Sequence, residues 1–271
     1  AMLNLAYYLD LAARQTPDAL AVKLDAHELT FADLALGARR VANGLRGKGI
    51  ARGDRVALML RNSPYFPMLY HGILHLGAVV VPVNAQFTER EIRAQLEDAE
   101  ASLLFAHEDF VDQATAAARN AESCRERVLV PSGPVNEGHG FASLLHGASD
   151  DFDTCQTMPD DTAVLLYTSG TTGLPKGAEL THFNMFFNAY YSSRHQSGLQ
   201  PGERFLGVLP LFHSFGQTCV MNACILAGAA MTLLPRFETE RALQVIHRDR
   251  PAAIAMVPTM YQWLLNHPNW A

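Results

Sequence analysis

The sequence predicts an α/β protein of mostly parallel sheets, with helices layered against them. Three observations lead there. Short apolar runs of strand length alternate with stretches of helical period, the pattern of buried parallel strands joined by crossover helices. Threonines stand as start signals ahead of several helical stretches. The 271 residues are 49% hydrophobic and 18% charged, a globular composition large enough for one big core or two smaller ones.

The elements follow in order. Thr30-Phe-Ala-Asp33 reads as a capping box, and the helix after it places Phe31, Leu34, Ala38, Val41 and Leu45 on one face. Residues Gly47 to Gly53 end that helix, and Asp54 to Leu60 reads as a strand. Ser63 as cap and Pro64 in the first turn open a second helix. Val79-Val-Val81 is a short buried strand, Thr88-x-x-Glu91 opens a third helix through Leu96, and Ser102 to Ala106 is a strand.

Residues 131–160 are rich in Gly, Pro, Ser and Asp and read as a loop-rich connection, a candidate subdomain seam. Strand Ala163 to Tyr167 runs into a Gly-rich loop, and Thr181 caps a helix reaching about Arg194. Strands at 205–209, 230–234 and 253–257 then alternate with helices at about 215–227, at 239–249 and from Thr259. Ligands of such sheets sit beyond the carboxyl ends of the strands.

The charge balance is mildly acidic: 21 basic and 27 acidic residues give a net −6, with no basic cluster, which argues against nucleic-acid binding. Cys124, Cys155, Cys219 and Cys224 form no Cys-x-x-Cys pair and read as reduced thiols in a cytoplasmic protein. No signal peptide is visible, and Ala1 ahead of Met2 reads as a cleavage scar. The longest apolar run, Cys219 to Pro235, includes Asn222 and falls short of the roughly 20 residues that span a bilayer. Peripheral attachment to a membrane stays open.

Thr168-Ser-Gly-Thr-Thr-Gly-Leu-Pro-Lys-Gly177 is the segment richest in chemistry. Gly170, Gly173 and Gly177 let backbone approach a ligand closely. Thr168, Ser169, Thr171 and Thr172 supply hydroxyls and Lys176 a positive charge, and free amides with hydroxyls make a cradle for phosphate oxygens. Leu174 and Pro175 precede the lysine, so this is neither a Walker A loop nor a dinucleotide-binding G-x-G-x-x-G turn. A second constellation, Leu209-Pro-Leu-Phe-His-Ser-Phe-Gly216, follows a predicted strand. His213 between Phe212 and Phe215 suits an apolar pocket with one orienting polar group, although a lone histidine is more often a satisfied core residue.

The run from Tyr167 to Gly177 resembles the signature of the adenylate-forming superfamily, which includes acyl-CoA synthetases, luciferase and peptide-synthetase adenylation domains. Leu29-Thr-Phe-x-x-Leu34, Gly53-Asp-Arg-Val56, Asn62, Gly77-Ala-Val-x-x-Pro82 and Thr181-His-x-Asn184 extend the resemblance across the chain in the expected order. The resemblance implies an incomplete N-terminal domain of that fold over residues 1–271, with the swivelling C-terminal domain absent. It implies that Thr168 to Gly177 bind the phosphates of ATP, that the hydroxyl of Thr168 reaches Mg²⁺, and that Lys176 and His213 are catalytic. Phe212, His213 and Phe215 would line the acyl site, and Val257-Pro-Thr-Met260 resembles a segment near it; His182 and Asn184 would be structural.

A carboxylate substrate is ionised at neutral pH, with a pKa of about 4, and attacks the α-phosphorus without a general base, so positioning and charge stabilisation carry the catalysis. The implied partners are a carboxylic acid, foremost a fatty acid, together with ATP and coenzyme A. An aryl or short acid is the runner-up, and a carrier-protein adenylation domain comes third. A non-catalytic nucleotide- or phosphate-binding module is the alternative of another class, and self-association stays open. The family's downstream Tyr-Gly-x-Thr-Glu and Tyr-x-Thr-Gly-Asp segments do not occur in the sequence. The expectation is therefore a fragment, natural or engineered, that is inactive by itself.

Overall fold

The computed structural model describes residues 2–135, 140–168 and 175–270. Their order is α1 (Ala6–Gln15), β1 (Leu20–Leu24), β2 (His27–Thr30), α2 (Phe31–Gly47), β3 (Arg55–Met59), α3 (Tyr65–His75), β4 (Val79–Pro82), α4 (Glu89–Asp98), β5 (Ala101–His107), α5 (Val111–Asn120) and β6 (Glu126–Val130). Then come α6 (Gly140–His146), β7 (Thr162–Thr168), β8 (Lys176–Thr181), α7 (His182–Tyr191), β9 (Arg204–Gly207), α8 (Ala223–Ala227), β10 (Ala230–Leu233), α9 (Thr239–Asp249), β11 (Ala253–Ala255) and α10 (Pro258–Leu265).

The three threonine start signals are local devices. At Thr30, Thr88 and Thr181 the hydroxyl meets the backbone N–H three residues on, while that residue's side chain accepts from the threonine N–H. Each satisfies two amides that the helix would otherwise leave bare, and the cap is worth about 1 kcal/mol. Ser63 differs from its expectation. Pro64 opens α3 with helical dihedrals, and the Ser63 carbonyl accepts from Phe66 N–H, but the buried Ser63 Oγ has no partner. The capping there comes from the backbone, because α3 enters a tightly packed layer where no free amide reaches the hydroxyl.

Strand pairing divides the chain between two sheets. One has the order β6-β5-β3-β4-β7-β8, parallel except for β8. The other has the order β11-β9-β10-β1-β2, parallel except for β2. The side chains sort the layers. On β3, Val56 and Leu58 join α2 and α3 in the main core, while the alternate Ala57 and Met59 pack toward the residues of α4 and α5. On β9 and β10, Phe205, Met231 and Leu233 join that same main core, while Leu206 and, just past β10, Leu234 pack with residues of α9 and α10. The period-two alternation of each strand thus builds two sheets with helices between them and helices on both outer faces.

The inner layer is close-packed. A Cβ on Gly72 of α3 would sit 2.5 Å from Val41 Cγ1 and 2.9 Å from the Ala38 carbonyl of α2, so only glycine lets these helices meet this closely. The face predicted for α2 is buried throughout, and α6, inside the loop-rich stretch, adds Phe141 and Leu144 to the same core. Among the described residues no helix is long and apolar enough to cross a membrane.

Candidate active site at the strand ends between the two sheets

β7 and β8 form an antiparallel hairpin whose last pair is Thr168 opposite Lys176. The Gly-rich segment is therefore the connection of this hairpin. Ser169, Gly170, Thr171, Thr172, Gly173 and Leu174 lie outside the described residues. Its roots are described: Thr168, Pro175, Lys176 and Gly177 are all solvent-exposed. Just below, the Tyr167 hydroxyl donates to the Asp98 carboxylate at the end of α4. Burial, and then that carboxylate, hold the phenol protonated well above its usual range, so Tyr167 stays a donor that pins the hairpin base to the outer helix.

The segment after β9 is shaped by three backbone constraints. His213 N–H donates to the Pro210 carbonyl at 3.1 Å, which closes a tight turn. Gln217 N–H then donates to the His213 carbonyl at 3.0 Å and starts a helical path. Gly216 stands where any Cβ would lie 2.2 Å from the Pro210 oxygen, so the turn folds onto itself only with glycine there.

A further constraint comes from the other sheet. Asn62, buried just past the end of β3, donates from Nδ2 to the Leu209 carbonyl at 2.9 Å and accepts at Oδ1 from Leu211 N–H at 2.8 Å. One carboxamide thus straps the His213 turn to the neighbouring sheet. Asn62 entered the sequence reading only as part of a resemblance; its bonds to residues 147 and 149 positions away leave no local signature.

These arrangements bring the two constellations together. Thr168, Phe212 and His213 line one cavity of about 320 Å³, completed by Pro82, Asn84, Phe87, Gln95, Leu166, Tyr167 and Ser214. It opens at the carboxyl ends of β4, β7 and β9, where parallel sheets present ligand sites. Phe215 does not line it and is exposed. Phe212 also walls a second cavity of about 460 Å³, lined among others by Arg61, Phe110, Arg236 and Met260. Val257 is exposed. Asn84, Phe87 and Gln95 were missed from sequence; the one signal for Asn84 and Phe87 was their position just after the β4 segment Gly77 to Pro82, while Gln95 lies inside α4.

Two further residues have structural surroundings. His182 is buried and its Nδ1 accepts from Leu5 N–H at 3.2 Å, while Asn184 completes the cap of α7. Burial presses the His182 ring down to about 4, so it is neutral at physiological pH.

The helix expected at 215–227 is present but divided. Gly216–Asn222 carries i→i+5 hydrogen bonds, and only Ala223–Ala227 is α-helical; Met221 and Ile225 lie in the main core. Ser192–Gln196, at the end of α7, is likewise wound i→i+5 and touches it, Ser192 Oγ meeting Cys219 Sγ at 3.3 Å.

Among the described residues no group of three or more His, Cys, Asp or Glu side chains converges as a metal site. Among the described residues no carboxylate lines the cavity, whose wall offers the Thr168, Tyr167 and Ser214 hydroxyls, the Asn84 and Gln95 amides and the His213 ring. That donor set fits Mg²⁺ as an ion carried mainly on phosphate oxygens and water, with the Thr168 hydroxyl as a ligand from this chain.

Residues 9–271 match the family described as AMP-binding enzyme. The chain is 34% identical over 286 residues to a long-chain-fatty-acid–CoA ligase of Bacillus subtilis (strain 168), covering 96% of this chain and 51% of that one. It is 34% identical over 259 residues to a feruloyl-CoA synthase of Amycolatopsis sp, covering 95% and 49%. The anthranilate CoA ligase AuaEII, solved in complex with anthranoyl-AMP, superposes with a TM-score of 0.93 at 25% identity, covering 99% of this chain and 52% of that one. The chain spans about half the length of the curated relatives it matches. With its layered sheets, its hairpin loop and its His213 turn in the arrangement described above, the chain belongs to the AMP-binding enzyme family.

Proposed function

We propose that the protein carrying this chain activates a carboxylic acid with ATP and transfers the acyl group to coenzyme A, with a fatty acid as the leading substrate. The observation that carries the reading is the convergence of Thr168, at the root of the phosphate loop, and His213, in its aromatic turn, on one cavity. In the first half-reaction a carboxylate oxygen forms a bond to the α-phosphorus and the bond to pyrophosphate breaks. In the second, the thiol sulfur bonds the acyl carbon and AMP leaves.

This chain's residues serve the first step by holding charge. Lys176 and the amides and hydroxyls of 168–177 receive the phosphates; Mg²⁺, when bound, neutralises phosphate charge, with Thr168 as its ligand from this chain. His213, on the wall of the same cavity, orients the acid, and Phe212 lines both this cavity and the neighbouring one. The four cysteines are free, in keeping with action in the cytoplasm.

The test is ATP–pyrophosphate exchange by the whole protein against a panel of acids. Exchange dependent on one class of acid supports the reading; none with any acid overturns it. The 271 residues alone lack the family's Glu and Asp segments and are expected to release no pyrophosphate at a comparable rate. An aryl acid is the second reading, favoured by the equal identity to a feruloyl-CoA synthase.

A further inference from the structure

Tyr167 immediately precedes Thr168 and lines the cavity that Thr168 shares with His213. Its hydroxyl donates to the Asp98 carboxylate. Asp98 does not line that cavity; it lines a separate cleft of about 440 Å³ with Arg52, Arg55 and Glu179. The ring thus walls the active-site cavity while the hydroxyl is engaged by the protein and not by a substrate.

Three observations give this bond a purpose beyond packing. β8 lies at the edge of its sheet among the described residues, and its Lys176, Gly177, Ala178 and Glu179 are exposed. A hairpin end with so few buried contacts has little local stability of its own. Gly177 is the cross-strand partner of Tyr167, and a Cβ on it would lie 3.2 Å from Tyr167 Cζ, the carbon that carries the hydroxyl. The ring therefore crosses the bare backbone of β8 at the hairpin root. Asp98, finally, is the last residue of α4, where a carboxylate meets the negative end of the helix dipole and no basic residue of the last turn offsets it. Helix stability does not account for an acid there, whereas the bond from Tyr167 does.

We infer that Tyr167 is a positioning residue: clamped to Asp98, it fixes the hairpin root that carries Thr168 and Lys176, and so sets the affinity for ATP and pyrophosphate while leaving that for the acid alone. This rests on the phosphate-binding role proposed above for residues 168–177. Thr168 faces Lys176 in the pair next to that of Tyr167 with Gly177. Ile92 and Leu96 anchor α4 in the outer core, so the clamp ties an exposed root to a rigid frame. A hydroxyl and an ammonium group held in place before the phosphates arrive need no ordering when they bind.

The test uses the whole protein, with pyrophosphate and ATP binding measured by calorimetry in the presence of Mg²⁺, and ATP–pyrophosphate exchange for the acid. Tyr167→Phe keeps the ring on the cavity wall and removes the bond. Asp98→Ala removes the bond from the other side, and Asp98→Asn keeps a carbonyl oxygen to accept it. Tyr167→Phe and Asp98→Ala are each expected to weaken ATP and pyrophosphate by about tenfold, with the KM for the acid within about twofold of the wild type. The double variant is expected to lose no more than either single one, because both remove the same bond. Asp98→Asn is expected to retain most of the wild-type affinity. Unchanged nucleotide affinity in Tyr167→Phe overturns the inference. So do additive losses in the double variant, or equal losses for ATP and the acid, which mark general damage to the fold. A wild type that binds neither pyrophosphate nor ATP overturns the phosphate-binding role and the inference together. Exchange with no acid, phosphate binding being intact, overturns acid activation alone.

Discussion

Asn62 holds Leu211, two residues before His213, through a 2.8 Å bond from the Leu211 N–H to its carboxamide oxygen. The same group takes the Leu209 carbonyl, so one side chain from the β3 end fixes the turn that presents His213. Asn62→Ala leaves a buried amide and a buried carbonyl unpaired. A loss of about 2–4 kcal/mol is expected in urea unfolding, with exchange activity falling further than the unfolded fraction explains. A loss under about 0.5 kcal/mol, the usual range of a surface change, would show that the strap is not structural.

Gly216→Ala places a methyl against the Pro210 oxygen, at 2.2 Å from its ideal position. The neighbour is backbone and has no rotamer to change, so the turn itself must open. Destabilisation of about 1–3 kcal/mol is expected, the range of an overpacked site. A circular-dichroism melt superimposable on the wild type would contradict the packing described for this turn.

Lys176→Ala tests the hairpin root from the opposite direction. The side chain is exposed, so stability should stay within about 0.5 kcal/mol. Pyrophosphate and ATP affinity should weaken by about tenfold, the loss of one charge-assisted contact. Unchanged nucleotide affinity by calorimetry would remove Lys176 from the phosphate site.

Acid should destabilise the fold through three histidines. His71 and His182 are pressed down to about 4 and His75 to about 3, burial being the main cause in each. Free histidine protonates near 6.5. Between 6.5 and 4 the unfolded chain therefore binds protons that the native chain refuses. The stability is complete above 6.5, falls with pH, and levels off below about 3. The slope is at most about 1.4 kcal/mol per pH unit for each histidine. Urea midpoints at pH 7 and pH 5 measure it; an equal or higher midpoint at pH 5 would refute the assignment.

What the sequence disclosed was local. The boxes at Thr30, Thr88 and Thr181 span four residues and close on their own backbone, so composition and spacing reveal them. The apolar runs of β3, β4 and β7 announce burial on both faces. Membership of one sheet or the other was not legible, because it depends on partners far away: β1 pairs with β10 some two hundred residues later. The i→i+5 winding of Gly216–Asn222 is equally silent, since its residues read as an ordinary buried helix. The two constellations were each visible after a strand, but their meeting at one cavity needed both sheets in place.

That meeting has a mechanical consequence. Thr168 ends a strand of one sheet, His213 stands in the turn after β9 of the other, and helices α2 and α3 fill the space between. The interior helices therefore act as a shim that sets the gauge of the cavity. Thickening it at the Gly72–Val41 crossing would part the two walls and slacken the strap at Asn62 without altering any lining residue. The width of the cavity can thus be adjusted from deep inside the protein.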